Sequence, residues 1–419
     1  MEYVIKGDIA YSKTKDELIT IHNGYLHIKD GVVEKVHKKL PSTLKSKKLI
    51  DHSNKLIIPG MSDLHLHASQ FEYKGTAMDV TLLEWLDKYT FPIEARFKDE
   101  KYAEKAYKVF VESLRKTYTT RAVIFATLHL EGTYILAKLL EKAGIDSYVG
   151  LVDMDRNVPP FYKHSVEEAR RDNIEFINRL KDFKHVKPII TPRFTISCTD
   201  EMMKMLGEIR KEYNIAAQSH LDENPSEIAF VKELCPDAKH YADTYDRVGL
   251  LENSVQAHCI FCNEDELKLL KEKNVYLVHC PESNTNVSTS GICPVKKYLD
   301  MGLHVGIGSD VAGGSTLNLL KNLKLAIQLS KVINYGQDTD YKPLIAEEAF
   351  YLATLGGGTY FGKVGSFFEG WDADIVIVDD LKGDPSSMSF SIRDRIERLI
   401  YNGEDSFIIS KYIKGQKVL

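Results

Sequence analysis

Residues 59–70 read PGMSDLHLHASQ, with His65 and His67 on either side of one leucine just after a Pro-Gly turn. The run is short and apolar in the manner of a strand, and in a strand residues i and i+2 point to the same face. Both imidazoles are therefore expected to enter one space. Two imidazoles aimed at one point supply half of a metal site, because zinc-like divalent ions take imidazole nitrogen and carboxylate oxygen, and catalytic sites keep one position for water. A pair of packed core histidines is the competing reading.

Seven further runs of the same kind follow in order: RAVIFATLH (121–129), YVGLVDMD (148–155), HVKPIITPRF (185–194), IAAQSHLDE (215–223), SVQAHCI (254–260), VYLVHCPESN (275–284) and HVGIGSD (304–310). Helix-compatible sequence follows each strand. In YAEKAYKVFVESL (102–114), Ala103, Ala106, Tyr107, Phe110, Val111 and Leu114 recur at helical spacing. Eight strand–helix units predict an α/β fold, a (β/α)8 TIM-type barrel, whose strands are buried on both faces and so read as continuous apolar runs. Polar residues gather where the runs end: His65 and His67, Arg193, His220 with Glu223, His258 and Asp310. In such barrels the C-terminal rim is where chemistry is assembled.

The two chain ends read differently. Residues 1–58 hold short alternating strands with an Asp30-Gly31 turn, and residues 366–419 look similar, with ADIVIVDD and an Asn402-Gly403 turn. Neither end is long enough for a large core alone. They are expected to pair into one small composite β-sandwich domain, leaving 59–365 as the barrel.

Composition excludes several function classes. The 419 residues carry 55 Lys+Arg against 60 Asp+Glu, a net charge of −5, with 43% hydrophobic and 27% charged residues, as in an ordinary soluble protein. The KSKK stretch at 45–48 is too short for a nucleic-acid footprint. The opening MEYVIKGDIAY lacks the layout of a signal peptide, and no apolar run approaches membrane-spanning length, so the cytoplasm is the expected location. Six scattered cysteines point to reduced thiols, and CIFC (259–262) has no second CxxC to complete a zinc site.

PGMSDLHLHASQ, SHLDE, QAHCI, HCPESN and GIGSDVAGG together resemble the amidohydrolase superfamily, in its mononuclear aminohydrolase branch, over nearly the whole chain. LLEWLDKYTFPIEARF, TPRFTISC, SHLDEN and ATLGGG narrow the resemblance to the guanine-deaminating members of that branch. The resemblance implies one divalent metal ion, zinc or iron, on His65, His67, His220 and Asp310, and it implies a homodimer. Binuclear relatives carry a modified lysine at the end of the fourth strand, where this chain has TPRF, which argues for one metal.

The expected reaction is hydrolytic deamination of guanine at C2 to xanthine and ammonia. A bound divalent metal lowers the pKa of its water to around 7. Asp310 is expected to accept the water proton, Glu223 to protonate the ring nitrogen N3 and then the amine, and His258 to hydrogen-bond the attacking oxygen. The resemblance assigns Gln70, Arg193 and Phe194 to substrate contact. Arg193 offers a donor fork suited to O6 and N7, Gln70 both donates and accepts, and Phe194 packs on the purine; His220 and His258 complete the substrate wall.

Each role has a competitor. Glu223 suits a cap for the helix beginning near Pro225, His258 and Phe194 suit core packing, and the Trp85 segment suits either a lid or a helix packed outside the barrel. His279 and His129 read as structural, with His279 expected to make hydrogen bonds. Other aminohydrolase substrates (another purine, a pterin, a pyrimidine or a triazine) remain open, as does a catalytically inactive scaffold, although no ligand or acid/base residue is missing.

Overall fold

The computed structural model describes residues 1–286, 291–336, 340–382 and 389–419. The chain opens with β1 (Glu2–Ser12), β2 (Leu18–Lys29) and β3 (Val32–His37), an antiparallel meander, and β4 (Lys48–Pro59) pairs parallel with β1. Asp30 (φ 50°) and Gly31 (φ 87°) make the β2–β3 turn, where left-handed backbone at both positions suits the twist of a hairpin. Gly60 alone then joins β4 to β5 (Met61–His67). A Cβ at this position would lie 2.2 Å from the Thr120 side chain, so only glycine passes.

The barrel strands continue as β6 (Thr119–Phe125), β7 (Asp146–Gly150) with its short extension β8 (Val152–Asp153), β9 (Val186–Pro192), β10 (Ala216–Leu221), β11 (Val255–His258), β12 (Tyr276–His279) and β13 (His304–Ile307). Every neighbouring pair is parallel, β13 returns to β5, and β9 also pairs with β10, which closes the ring. All seven residues of β5 and of β6 are buried, as expected of strands covered on both faces. All eight runs quoted above form barrel strands.

The chain ends with β14 (Ile375–Val378), β15 (Ile408–Ile413) and β16 (Gln416–Lys417), which join the first four strands in the order β16-β15-β14-β4-β1-β2-β3. The sandwich expected from the ends is thus one continuous seven-stranded sheet that curls on itself. Tyr3 and Tyr412 lie three strands apart in that order, about 14 Å in a flat sheet, yet their ring centroids are 6.1 Å apart. Asn402-Gly403 is not a hairpin turn: Asn402 ends the helix Ile392–Asn402, which buries Ile396, Leu399 and Ile400 and starts from a Ser391/Asp394 capping box.

An ion network ties sheet to barrel at the barrel's N-terminal end. Arg121, on β6, is buried, grips Asp374 through Nε (2.6 Å) and Nη2 (3.0 Å), donates Nη2 to Asp372 (2.9 Å) and pairs with Asp146. His185 and Lys414 complete the partners of Asp146 at 2.6 and 2.5 Å. Nearby, the fully buried Lys411 donates to the carbonyls of Thr119 (2.8 Å), Thr117 (3.0 Å) and Leu114 (3.4 Å). Among the described residues no helix is long and apolar enough to cross a membrane.

Candidate active site

At the opposite rim, β5 spends one residue more than β6 between the pairs Asp63–Ala122 and Leu66–Ile124, a bulge beside the two histidines. His65 and His67 still converge, with ring centroids 5.0 Å apart, and His220 at the end of β10 joins them, 4.8 Å from His65. His67 Nε2 and His220 Nε2 are 3.2 Å apart. Asp310, just beyond β13, places Oδ1 3.1 Å from His65 Nε2 and 3.5 Å from His67 Nε2. Asp310 (φ 45°) and His258 (φ 72°) hold left-handed backbone, a conformation that costs energy and clusters at functional sites.

The donor set fits a divalent cation. His65 is fully buried, yet its Nδ1 has no hydrogen-bond partner and its Nε2 faces only Asp310 Oδ1, at 3.1 Å, without a well-aligned hydrogen bond; His67 Nδ1 has no partner either. Leaving buried polar nitrogens unpaired is expensive unless something else engages them. Burial pushes the pKa values of His65, His67 and His220 down, so all three are neutral at pH 7. Burial works against the charge on Asp310, but His65, His258 and His67 outweigh it and hold the carboxyl well below its usual range. His220 Nδ1 lies 2.6 Å from the Arg193 carbonyl, which can only accept, so Nδ1 carries the proton and Nε2 is free as a ligand. Ligand atoms of His65, His67 and Asp310 lie within 4.8 Å of one another, as do those of His65, His220 and His258.

Glu223 is buried beside this cluster. Burial, reinforced by the charge of Asp310 and opposed by Arg193, pushes its pKa up to about 8. It is not the helix cap: Asn224 caps the helix Pro225–Leu234, accepting from Ser226 N in a capping box with Glu227. His258 Nε2 lies 3.5 Å from Glu223 Oε2 and 3.8 Å from Asp310 Oδ2, while its Nδ1 pairs with Asn284 Oδ1 at 2.9 Å.

A small, half-open pocket lies over the cluster, its roughly 400 Å³ of free space including open solvent. Its wall includes His67, Gln70, Arg193, Phe194, His220, Glu223, His258 and Asp310, so the expected substrate residues share one space with the expected ligands His67, His220 and Asp310. Leu82, Trp85 and Leu86 close another side, which places the Trp85 segment over the cavity rather than outside the barrel. The segment departs from a regular helix through a π turn, Leu86–Thr90, between the helices Leu82–Trp85 and Phe91–Glu94. His129 and His279 are not on the cavity wall. His279 is buried, and its Nδ1 makes no hydrogen bond, so the expected hydrogen bonding is not seen at that nitrogen; burial lowers its pKa to about 3 and keeps it neutral. Cys259 and Cys262 are free thiols.

One residue escaped the sequence reading. Glu94 is fully buried and accepts from Gln70 Nε2 (2.8 Å), Arg193 Nη1 (2.9 Å) and Tyr162 OH (2.9 Å). The signal was an acid in line with Phe91 and Phe97 on an apolar helical stripe, where a charge needs a partner.

Residues 56–418 match the amidohydrolase family. The guanine deaminase of Dictyostelium discoideum is 38% identical over 88% of this chain and 84% of its own length, and that of Escherichia coli K12 is 34% identical over 95% and 91%. The crystal structure of guanine deaminase from C. acetobutylicum with guanine bound in its active site superposes with a TM-score of 0.97 at 42% identity, over the whole of both chains. The chain belongs to the amidohydrolase family, in the group of its guanine deaminase relatives.

Proposed function

We propose that this chain is a metal-dependent guanine aminohydrolase that converts guanine and water to xanthine and ammonia. The observation that carries the reading is the meeting, in one pocket, of a polar wall that includes Gln70 and Arg193 with a histidine–aspartate cluster and a carboxyl whose pKa is pushed up to about 8. His65, His67, His220 and Asp310 would hold the ion, which when bound supplies Lewis-acid activation of water at neutral pH. Arg193 donates to O6 and N7, Gln70 pairs with the ring edge, and Phe194 packs on the base; His220 forms part of the same wall. Asp310 takes one proton from the water. Glu223, protonated at pH 7, gives its proton to N3 as oxygen bonds to C2, and His258 holds that oxygen by a hydrogen bond. Glu223 then accepts the proton of the new C2 hydroxyl and passes it to the amino group. The C2–N bond breaks, ammonia leaves and the carbonyl of xanthine forms. The cycle closes when the proton on Asp310 returns to Glu223, with His258 Nε2 lying between them.

Zinc as the ion, a homodimer and a cytoplasmic location complete the proposal; the donor set and the resemblance support the first, and the resemblance supports the second. The test is ammonia release from guanine, adenine, cytosine and a pterin by the purified protein, with metal content and sedimentation measured on the same sample. Turnover of guanine with about one metal per chain is the expected result, as for a single His/Asp centre. Ammonia from another base and none from guanine would overturn the substrate, and full turnover without metal would overturn the mechanism.

A further inference from the structure

We infer that Glu94 is the positioning residue that sets which hydrogen-bond pattern the cavity reads, selecting purines that carry a carbonyl acceptor beside the ring; the inference rests on the proposed guanine reaction. Glu94 is absent from the cavity wall, so it acts through the residues it holds. Its Oε1 accepts from Gln70 Nε2 at 2.8 Å, and the other end of the same carboxamide, Oε1, accepts from Ala312 N at 3.2 Å. Flipping that carboxamide would face oxygen to carboxylate and NH2 to N–H, losing both bonds. Gln70 therefore presents one fixed face, with one Nε2 hydrogen and one Oε1 lone pair left for a ligand.

The second carboxylate oxygen acts on Arg193. Glu94 Oε2 accepts from Nη1 at 2.9 Å, and the guanidinium carbon sits 5.3 Å from the centroid of the Phe91 ring, three residues before Glu94. One donor is spent and the plane is set, which leaves the remaining N–H groups in a fixed fork suited to adjacent acceptors such as O6 and N7. The same carboxylate balances a buried guanidinium charge that lies near His67, where an uncompensated cation would oppose a metal ion. Tyr162 OH, at 2.9 Å from Oε2, holds Glu94 in turn. One acidic group thus aligns two readers drawn from different parts of the chain, the turn after β5 and the end of β9.

The experiment compares wild type, Glu94→Gln and Tyr162→Phe with guanine and with 2-aminopurine, which lacks O6. Metal content and thermal midpoint are measured on each. A glutamine has one acceptor where Glu94 has two, so one arm is released. Glu94→Gln is expected to raise KM for guanine at least tenfold, with kcat changed less, and to shrink the guanine preference over 2-aminopurine by about tenfold, since a misplaced reader loses selectivity before it loses chemistry. Tyr162→Phe, whose hydroxyl bonds Glu94 but neither Gln70 nor Arg193, is expected to move the same ratio the same way by about two- to fivefold, on the scale of one hydrogen bond. If Glu94→Gln fails to fold, the Tyr162→Phe ratio decides. An unchanged preference in the folded variants, or an equal loss on both substrates with a lowered thermal midpoint, would overturn the positioning role and leave the guanine reaction standing. A wild type inert to guanine would overturn the reaction itself, and the inference with it.

Discussion

Two buried polar clusters sit at opposite ends of the barrel, and they differ in how well their members are satisfied. At the N-terminal end Arg121 is surrounded by Asp374, Asp372 and Asp146, with His185 and Lys414 completing the set. Burial works against its charge, but the three carboxylates outweigh it and raise its pKa above the ordinary value. At the C-terminal end Nδ1 of His65 and Nδ1 of His67 have no partner, Asp310 is ionised among imidazoles, and Glu223 is pushed up to about 8. In the first network every charge already has a partner within the network. A cluster with orphaned donors and two carboxyls driven to opposite protonation states is arranged for something that comes from outside.

If that contrast holds, removing a charge should cost activity at one end and stability at the other. Glu223→Gln is expected to reduce kcat on guanine by about 10³-fold, within the range for a lost acid/base group. Its thermal midpoint should not fall, because Gln replaces a carboxyl that burial already disfavours, and metal content should be retained. Near-normal turnover would remove Glu223 from the mechanism. Arg121→Met is expected to lower the unfolding free energy in urea by about 3 kcal/mol, since it strands buried carboxylates without their cation. Its turnover per folded molecule should match wild type. A variant as stable as wild type would mean that the network's desolvation cost cancels its attraction, and the contrast between the two ends would fail.

The two ends were not equally legible in the sequence. The barrel was readable because strands buried on both faces leave continuous apolar runs, and the convergence of His65, His67, His220 and Asp310 because they fall where those runs stop. The bulge in β5 was not readable, and the alternation argument reached the correct convergence without it. Glu94 was missed because its partners lie 24 and 99 residues away and no local pattern links them. Asn402-Gly403 misled because that dipeptide also ends helices, and the helix Ile392–Asn402 has the stronger claim through its capping box and apolar stripe. The Arg121 network was invisible for the same reason as Glu94: Asp372 and Asp374 lie more than 250 residues from it in the chain.

The smallest expected effect sharpens the comparison at the closed end. Burial, with the charge of Arg115 adding to it, lowers the pKa of Lys411 from its ordinary value of 10.5 to about 7. Between those values the unfolded chain holds a proton at this lysine that the folded chain has shed, so folding stability gains from it as pH rises. The gain is at most about 1.4 kcal/mol per pH unit for one proton. Other groups titrate in the same range, so the measurement is a difference: unfolding free energies of wild type and Lys411→Met at about pH 7.5 and about pH 8.5. Wild type should improve relative to the variant by about 1 kcal/mol over that step. A flat difference would mean that the carbonyls of Leu114, Thr117 and Thr119 keep the ammonium charged throughout, making Lys411 a fixed cation like Arg121. The closed end would then hold no titrating group at this position.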